Sequence, residues 1–297
     1  MMTVNRLAGK LAKKMLPRNI QTVLRFWYWK IIKENQNRPR KTLQFEVHLT
    51  DHCNLNCSGC SHFSPIAEEH FIDCDSFERD CKRIYELTKG HVEKIHLMGG
   101  EPLLHPDCIN IINIAGKYFN SNQIEIVTNG ILLPNQNHEF WECCKTNKVT
   151  IIITNYPIKR DDDTIRKITQ EYNIDLEYWP VDNSIKTFDR IPIDLNGNQD
   201  REESFRDCRT KNLCIQLKDG KLYTCHTAAY MEYFNTCFEQ TITASEHDYI
   251  DIYKVKNVRE ILVFLSKSIP FCKYCNTKNR TDGIKWGISM KKIEEWT

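Results

Sequence analysis

Three cysteines on one short polar loop dominate the chemistry this chain can do. Cys53, Cys57 and Cys60 lie in Asp51-His52-Cys53-Asn54-Leu55-Asn56-Cys57-Ser58-Gly59-Cys60-Ser61-His62-Phe63, spaced C-x3-C-x2-C. The turn-prone residues Asn54, Asn56, Ser58 and Gly59 separate them, so the three sulfurs can turn onto one point. Three soft thiolates suit an iron–sulfur cluster, and a four-iron cubane held by three cysteines keeps one iron open for chemistry. Zinc is the alternative. Structural zinc closes with four ligands, and His52 or His62 would have to supply the fourth. A second set follows as Cys208-x11-Gly220-x4-Cys225 and, after a gap, Cys272-x2-Cys275. Four thiolates hold either another cluster or a structural zinc. Cys214 competes with Cys208 for the first place in that set but sits in a hairpin strand. Cys74, Cys81, Cys108, Cys143, Cys144 and Cys237 have no ligand spacing and read as small buried apolar residues.

The elements that must position these thiols alternate. Strands are expected over 43–49, 94–98, 123–128, 149–154 and 175–181, with helices over 75–89, 107–118, 139–146 and 162–172 between them. Such alternation implies parallel strands joined by right-handed crossovers, with active residues at the C-terminal strand ends. It does not choose between a barrel and an open doubly wound sheet. The first strand runs into the cysteine loop, the second into Met98-Gly99-Gly100-Glu101-Pro102, the third into Thr128-Asn129-Gly130 and the fourth into Thr154-Asn155. Residues 182–207 read as a long polar loop, with a sixth barrel strand around Ile185–Ile193. Leu213–Leu217 and Lys221–Cys225 flank Asp219-Gly220, a strong hairpin signal, and a helix is expected over Val258–Ser266.

The 297 residues suffice for one barrel and an appendage. Charged residues at 27% and hydrophobic residues at 41% describe a globular protein, and no apolar run reaches the roughly 18 residues of a membrane span. No signal peptide is evident. Fourteen cysteines without an export signal argue for a reducing, cytoplasmic compartment and for metal ligation. The net charge of +2 hides an asymmetry: residues 1–41 carry eleven Lys or Arg against the single acid Glu34, leaving thirty bases against thirty-eight acids elsewhere. Pro17 divides this basic arm into helical stretches 3–15 and 20–34. The second sets Leu24, Phe26, Trp27, Tyr28, Trp29, Ile31 and Ile32 among cations, which fits peripheral contact with an anionic membrane or a face packed against the barrel. A nucleic-acid partner is not expected.

The loop, with Thr50 and Asp51 before it, resembles the T-D-x-C-N-L-x-C form of the radical S-adenosylmethionine (SAM) superfamily. Gly99-Gly100-Glu101-Pro102 resembles that family's GGEP motif, and Thr128-Asn129-Gly130 a T-N-G of several subfamilies. The resemblance implies a partial (β/α)6 TIM-like barrel, a [4Fe–4S] cluster on Cys53, Cys57 and Cys60, and SAM chelated to its open iron. It implies SAM contacts from Gly99, Gly100, Glu101, Thr128, Asn129 and Thr154. Residue 59 departs from the pattern: an aromatic that lies on the adenine is usual there, so Gly59 moves that contact to the backbone or elsewhere, with Phe63 a candidate. The later cysteines resemble a twitch domain, the short form of the SPASM domain. By that resemblance Cys208, Cys225, Cys272 and Cys275 hold one auxiliary [4Fe–4S] cluster, with spacing close to that of 2-deoxy-scyllo-inosamine dehydrogenases.

The expected organisation is then a helical arm (1–41), a barrel (42–200) and a C-terminal β-hairpin and helix cluster-binding domain (201–297). The expected activity is reductive cleavage of SAM to a 5'-deoxyadenosyl radical that takes hydrogen from a small polar substrate: a sugar, nucleotide sugar or polyol. An auxiliary cluster suits a two-electron oxidation, with flavodoxin or ferredoxin as electron donor. A peptide-modifying maturase and a redox-neutral epimerase are the alternatives. Tyr156, Asp182, Arg190 and His226 are candidates for deprotonating the substrate by position, and His52, His62 and His96 lie near the expected SAM pocket.

Overall fold

The computed structural model describes residues 41–120, 123–180 and 187–297. The two helices expected for the basic arm, and Asp182, lie outside the described residues. Arg40–Thr297 forms one compact unit, and among the described residues no helix is long and apolar enough to cross a membrane.

The first strand, β1 (Leu43–Thr50), explains the layering. Leu43, Phe45, Val47 and Leu49 alternate with Gln44, Glu46, His48 and Thr50, and all eight are buried. Its apolar face meets the same face of β2 (Val92–Gly99), β3 (Ile124–Thr128) and β4 (Thr150–Thr154) in one core that includes Ile95, Leu97, Ile124, Ile126, Ile151 and Ile153. That core is closed by Phe77, Cys81 and Ile84 of α1 (Cys74–Thr88), Ile111, Ile112 and Ala115 of α2 (Cys108–Tyr118), Phe140 and Trp141 of α3 (His138–Thr146), and Ile165 of α4 (Asp162–Glu171). Three of the four, α1, α3 and α4, start where a short polar side chain caps them: Asp73 accepts from Ser76 N at 2.8 Å, Asn137 from Phe140 N at 2.9 Å and Asp161 from Thr164 N at 3.1 Å.

Strand order settles the question that periodicity leaves open. The main sheet runs β5-β4-β3-β2-β1-β7-β8-β9, where β5 is Leu176–Trp179, β7 Gln216–Lys218, β8 Lys221–Tyr223 and β9 Tyr249–Asp251. Strands β1 to β5 are parallel and step in one direction. Right-handed crossovers that never reverse place every helix on the same side, which is the winding of a barrel wall. On the other edge of β1, β7 joins in parallel at Glu46↔Gln216 and passes antiparallel into β8 and β9. The segment bearing the second cysteine set thus continues the same sheet.

The expected sixth barrel strand is a correction. Within Ile185–Ile193, β6 (Thr187–Arg190) pairs antiparallel with β10 (Thr281–Lys285) in a separate two-stranded sheet. Thr187-Phe188-Asp189-Arg190 alternates exposed and half-buried residues and offers no side chain to the common core that the parallel strands share. The polar stretch 182–207 also ends in a helix, α5 (Arg201–Asp207), started by Asp200 accepting from Glu203 N at 2.8 Å. The chain continues through α6 (His226–Phe238) and α7 (Val258–Leu265).

The polar face of the sheet carries a ladder of charges across four strands. Gln216 of β7 donates to Glu46, Glu46 lies 3.3 Å from His96 Nδ1, His96 Nε2 lies 2.9 Å from Glu125, and Glu125 pairs with Lys94. His96 was expected near the SAM pocket; its side chain is instead committed to this ladder. Burial alone would lower its pKa, but the bonds to Glu125 and Glu46 and their charges outweigh that and raise it from 6.5 to about 9. The protonated ring stabilises the fold in full below the unfolded value, and this contribution is lost as pH rises through the folded value. Urea unfolding from pH 6.5 to 9 should therefore show stability falling with pH, and His96→Gln should flatten that fall. An equal slope in the variant would remove the ladder from the stability of the sheet.

Candidate functional site

Strand β1 delivers the cysteine loop at its C-terminal end. Cys60 N donates to Cys57 O at 3.3 Å and Phe63 N to Cys60 O at 3.0 Å, so the second half of the loop is a tight turn. Cys53 Sγ accepts from Leu55 N at 3.3 Å, with Asn129 Nδ2 at 3.8 Å, and Cys57 Sγ accepts from Trp286 Nε1 at 3.2 Å. Burial pushes the Cys53 thiol up to about 12, against the Leu55 bond, and the Cys57 thiol up to about 11, against the Trp286 bond. A desolvated thiol gives up its proton when a bound cation lends its charge. Three half-buried soft donors, two of them already receiving N–H groups, fit an iron–sulfur cluster. Among the described residues no three His, Cys, Asp or Glu side chains are gathered as a site for one metal ion. Tetrahedral zinc, with bonds of about 2.3 Å, would draw its sulfurs to about 3.8 Å from one another, a closer grouping than a cubane asks for.

The ends of β2 and β3 are tied to this loop by backbone and by one carboxylate. Gly100 N donates to Thr50 O at 2.8 Å and Glu101 N to His52 O at 3.1 Å. A Cβ on Gly99, whose φ is +134°, would sit 2.1 Å from Thr50 O, and one on Gly100 would sit 1.8 Å from His52 O. Both glycines are therefore required by the close approach of β2 to the cysteine loop itself. Glu101 is fully buried. Its Oε1 accepts from Thr128 Oγ1 at 2.6 Å and Leu103 N at 3.2 Å, and its Oε2 from Asn129 N at 2.9 Å. Burial raises its pKa to about 7 even against those three bonds. Three of a carboxylate's roughly four acceptor positions are thus filled. Asn129 completes the tie by donating to Asn54 Oδ1 at 2.7 Å. Thr154 is half-buried at the end of β4, and the next residue, Asn155, accepts from Arg160 at 3.1 Å.

A C-terminal segment, 286–296, closes over the loop, and nothing in the sequence reading anticipates it. Ser58 N donates to Gly287 O at 2.8 Å and Ser289 N to Asn56 O at 2.9 Å. Glu295 accepts from Ser58 Oγ at 2.8 Å and Gly59 N at 3.2 Å, and Trp296 Nε1 donates to Cys60 O at 2.8 Å. Gly59 is left-handed at φ +65°, and a Cβ there would meet Glu295 O at 2.9 Å and the Phe188 ring at 3.3 Å. The space beside residue 59 is thus filled by Phe188 and this segment. Phe63 cannot offer its ring to a ligand: it is buried in a second core with Phe234 and Trp296.

The other candidates divide. Tyr156 lies near the three cysteines, and burial, with their charges, holds its hydroxyl well above the ordinary range; it is poorly suited to act as a base. Arg190 donates to Glu294 O. His226 opens α6 with its ring 4.8 Å from His62, and burial lowers it to about 4 and His62 well below 6.5. His48, which the sequence reading missed, joins them: its Nε2 lies 2.8 Å from His62 Nδ1 and its Nδ1 2.7 Å from Asp51. His52 Nδ1 lies 2.6 Å from Thr50 Oγ1.

Of the second set, Cys208 follows α5, Cys225 immediately precedes α6, and Cys272 and Cys275 lie on the turn Pro270–Tyr274 and just after it. Burial raises Cys225, Cys272 (to about 12) and Cys275, and each is raised further by other members of the set. The Cys225 sulfur also receives the N–H groups of Ala228 and Thr227 in the first turn of α6, where the helix dipole favours a thiolate. Cys214 is close to Cys208 and Cys225 but is bonded to Glu46. Of the cysteines read as buried, Cys81, Cys108, Cys143 and Cys144 are so, Cys74 is partly covered and Cys237 is exposed; Cys237 sits in the last turn of α6, where nothing packs over it.

Residues 47–203, just over half of the chain, match the model of the radical SAM superfamily. A GTP 3',8-cyclase of Clostridium botulinum (strain Hall) is 24% identical over 254 residues, covering 80% of this chain and 77% of the relative. A GTP 3',8-cyclase of Aquifex aeolicus is 32% identical over 107 residues, 35% of this chain and 32% of its own. Among solved structures, BtrN in complex with AdoMet and 2-DOIA is 14% identical with a TM-score of 0.47, covering 80% of this chain and 94% of that one. The anSMEcpe structure with bound AdoMet and Cp18Cys peptide is 17% identical with a TM-score of 0.36, and the chain spans 42% of its length. With the cysteine loop, the glycine turn and the parallel barrel wall in place, the chain belongs to the radical SAM superfamily.

Proposed function

We propose that this enzyme oxidises a small polar substrate by two electrons, using a second cluster in its C-terminal segment. Cys53, Cys57 and Cys60 would hold the SAM-cleaving [4Fe–4S] cluster, and Gly99, Gly100, Glu101, Thr128, Asn129 and Thr154 would form the SAM site. When bound, the cluster and SAM supply a 5'-deoxyadenosyl radical. Glu101 offers its remaining acceptor position to the SAM ammonium, while Thr128 and Asn129 hold that carboxylate still. The observation that supports the oxidative reading is that Cys208, Cys225, Cys272 and Cys275 lie near enough to raise one another's thiols, in the compact unit that also bears the first loop. An auxiliary [4Fe–4S] cluster there would accept the second electron once hydrogen abstraction has left a carbon radical. The substrate class is a sugar, nucleotide sugar or polyol, the external electron donor a flavodoxin or ferredoxin, and the compartment the cytoplasm. The match to a GTP 3',8-cyclase over 80% of the chain favours the nucleotide-bearing class among these and supports redox-neutral cyclisation as the second reading.

Anaerobically reconstituted protein should carry about eight irons and eight sulfides, and replacing Cys53, Cys57 and Cys60 together by Ala should halve this and abolish SAM cleavage. With a substrate labelled at the reacting carbon, a variant lacking the second set should still form deuterated 5'-deoxyadenosine while oxidised product collapses. Normal turnover in that variant would support the redox-neutral reading. GTP belongs among the substrates tried.

Glu101→Ala withdraws an acceptor from three buried donors as well as from SAM. Both unfolding free energy and SAM affinity should fall, each on the order of 2 kcal/mol, measured by urea unfolding and by calorimetric titration of the same protein. Wild-type affinity in a destabilised variant would remove Glu101 from the SAM site.

A further inference from the structure

The C-terminal segment does more than cover the cysteine loop, because one of its side chains reaches a ligand sulfur. Trp286 is half-buried, and its indole N–H points at Cys57 Sγ across 3.2 Å, within the sulfur hydrogen-bond range. Two backbone bonds hold the segment at the same point, Ser58 N to Gly287 O at 2.8 Å and Ser289 N to Asn56 O at 2.9 Å, so Cys57 and Ile288 pair as an isolated bridge. The Glu295 carboxylate anchors its far end on Ser58 and Gly59. The tryptophan is therefore fixed relative to the sulfur by contacts on either side of Cys57 and on the C-terminal side of Trp286. Tyr156 lies against the same indole, its ring centroid 6.4 Å away.

An N–H donor aimed at a ligating thiolate withdraws electron density from it. The cluster's added electron is then easier to hold, because hydrogen bonds to the sulfurs are among the terms that set the potential of an iron–sulfur centre. We propose that Trp286 is a positioning residue that raises the reduction potential of the cluster on Cys53, Cys57 and Cys60 through its N–H bond to Cys57, which places control of electron entry in the C-terminal segment. This rests on the reading that those three cysteines hold a [4Fe–4S] cluster. The Trp286 side chain undergoes no chemistry of its own: one electron from an external reductant enters the cluster, and the indole keeps its proton throughout.

The test is a reductive titration of the reconstituted holoenzyme followed by electron paramagnetic resonance, reading the signal that added SAM alters. Three proteins are compared with the wild type. Trp286→Phe removes the donor and part of the ring. Incorporation of 3-benzothienylalanine at position 286 keeps the bicyclic shape and puts a sulfur where the N–H stood. Ser58→Ala removes one bond of the Glu295 anchor and leaves the two backbone bonds and the indole in place. Iron content should stay at the wild-type value in the benzothienyl protein. Its potential should become more negative, by about a tenfold loss in the equilibrium constant for reduction, which is 59 mV for one electron. Trp286→Phe should move the same way, and Ser58→Ala should titrate like the wild type. An unchanged potential in the benzothienyl protein would overturn the proposal, as would an equal shift in Ser58→Ala, which would assign the effect to packing of the segment. A wild type with no SAM-sensitive signal would instead reject the cluster assignment itself, so the two failures are distinguishable.

Discussion

The Glu101 carboxylate is the constraint on which the upper end of the barrel depends. A buried carboxylate is expensive unless its oxygens are satisfied, and here Thr128, Asn129 and Leu103 satisfy them. Each donor belongs to a different piece of chain: the end of β3, the turn after it, and the turn after β2. Holding them together requires the end of β2 to press against the loop backbone, and only glycines at 99 and 100 permit that approach. Asn129 then carries the restraint across to Asn54 and Cys53. A single acid thus joins the ends of β2 and β3 to the loop that carries the thiols.

This arrangement revises the usual division of labour between the motifs. The glycines were expected as SAM contacts, but the first thing they clear space for is the protein's own backbone. Thr128 is spent on Glu101 and on Gly130 N, from which it accepts at 3.0 Å. Fixing the acceptor before the ligand arrives is what lets a charge-assisted bond be made at small entropic cost.

What the sequence made legible was local. The alternation in Leu43–Thr50, the caps at Asp73, Asn137 and Asp161 and the clustered cysteines each lie within a few residues of what they determine, so strands β1 to β5, helices α1 to α4 and the loop were readable to within a few residues. What escaped depends on partners far along the chain. Thr187–Arg190 looked like a barrel strand until β10, some ninety residues on, took it into another sheet. Phe63 looked available because the rings that bury it, Phe234 and Trp296, follow it by well over a hundred residues. Trp286 and Trp296 belong to no motif, and their partners Cys57 and Cys60 precede them by 229 and 236 positions. Helix α6 was hidden because Ala228, Ala229, Tyr230, Met231 and Phe234 bury nearly all its sides, which leaves no helical stripe to read.

Those separations also order events in time. Contacts between residues close in sequence form early, and closures of long loops come late because their entropy is lost before any contact repays it. Strands β1 to β4 and their helices can assemble from neighbouring segments. The loop that carries Cys53, Cys57 and Cys60 reaches its final shape only when residues 286–296 arrive. Until that segment docks, one side of the three thiols lacks its cover, so a cluster delivered to them would have its access limited by that docking.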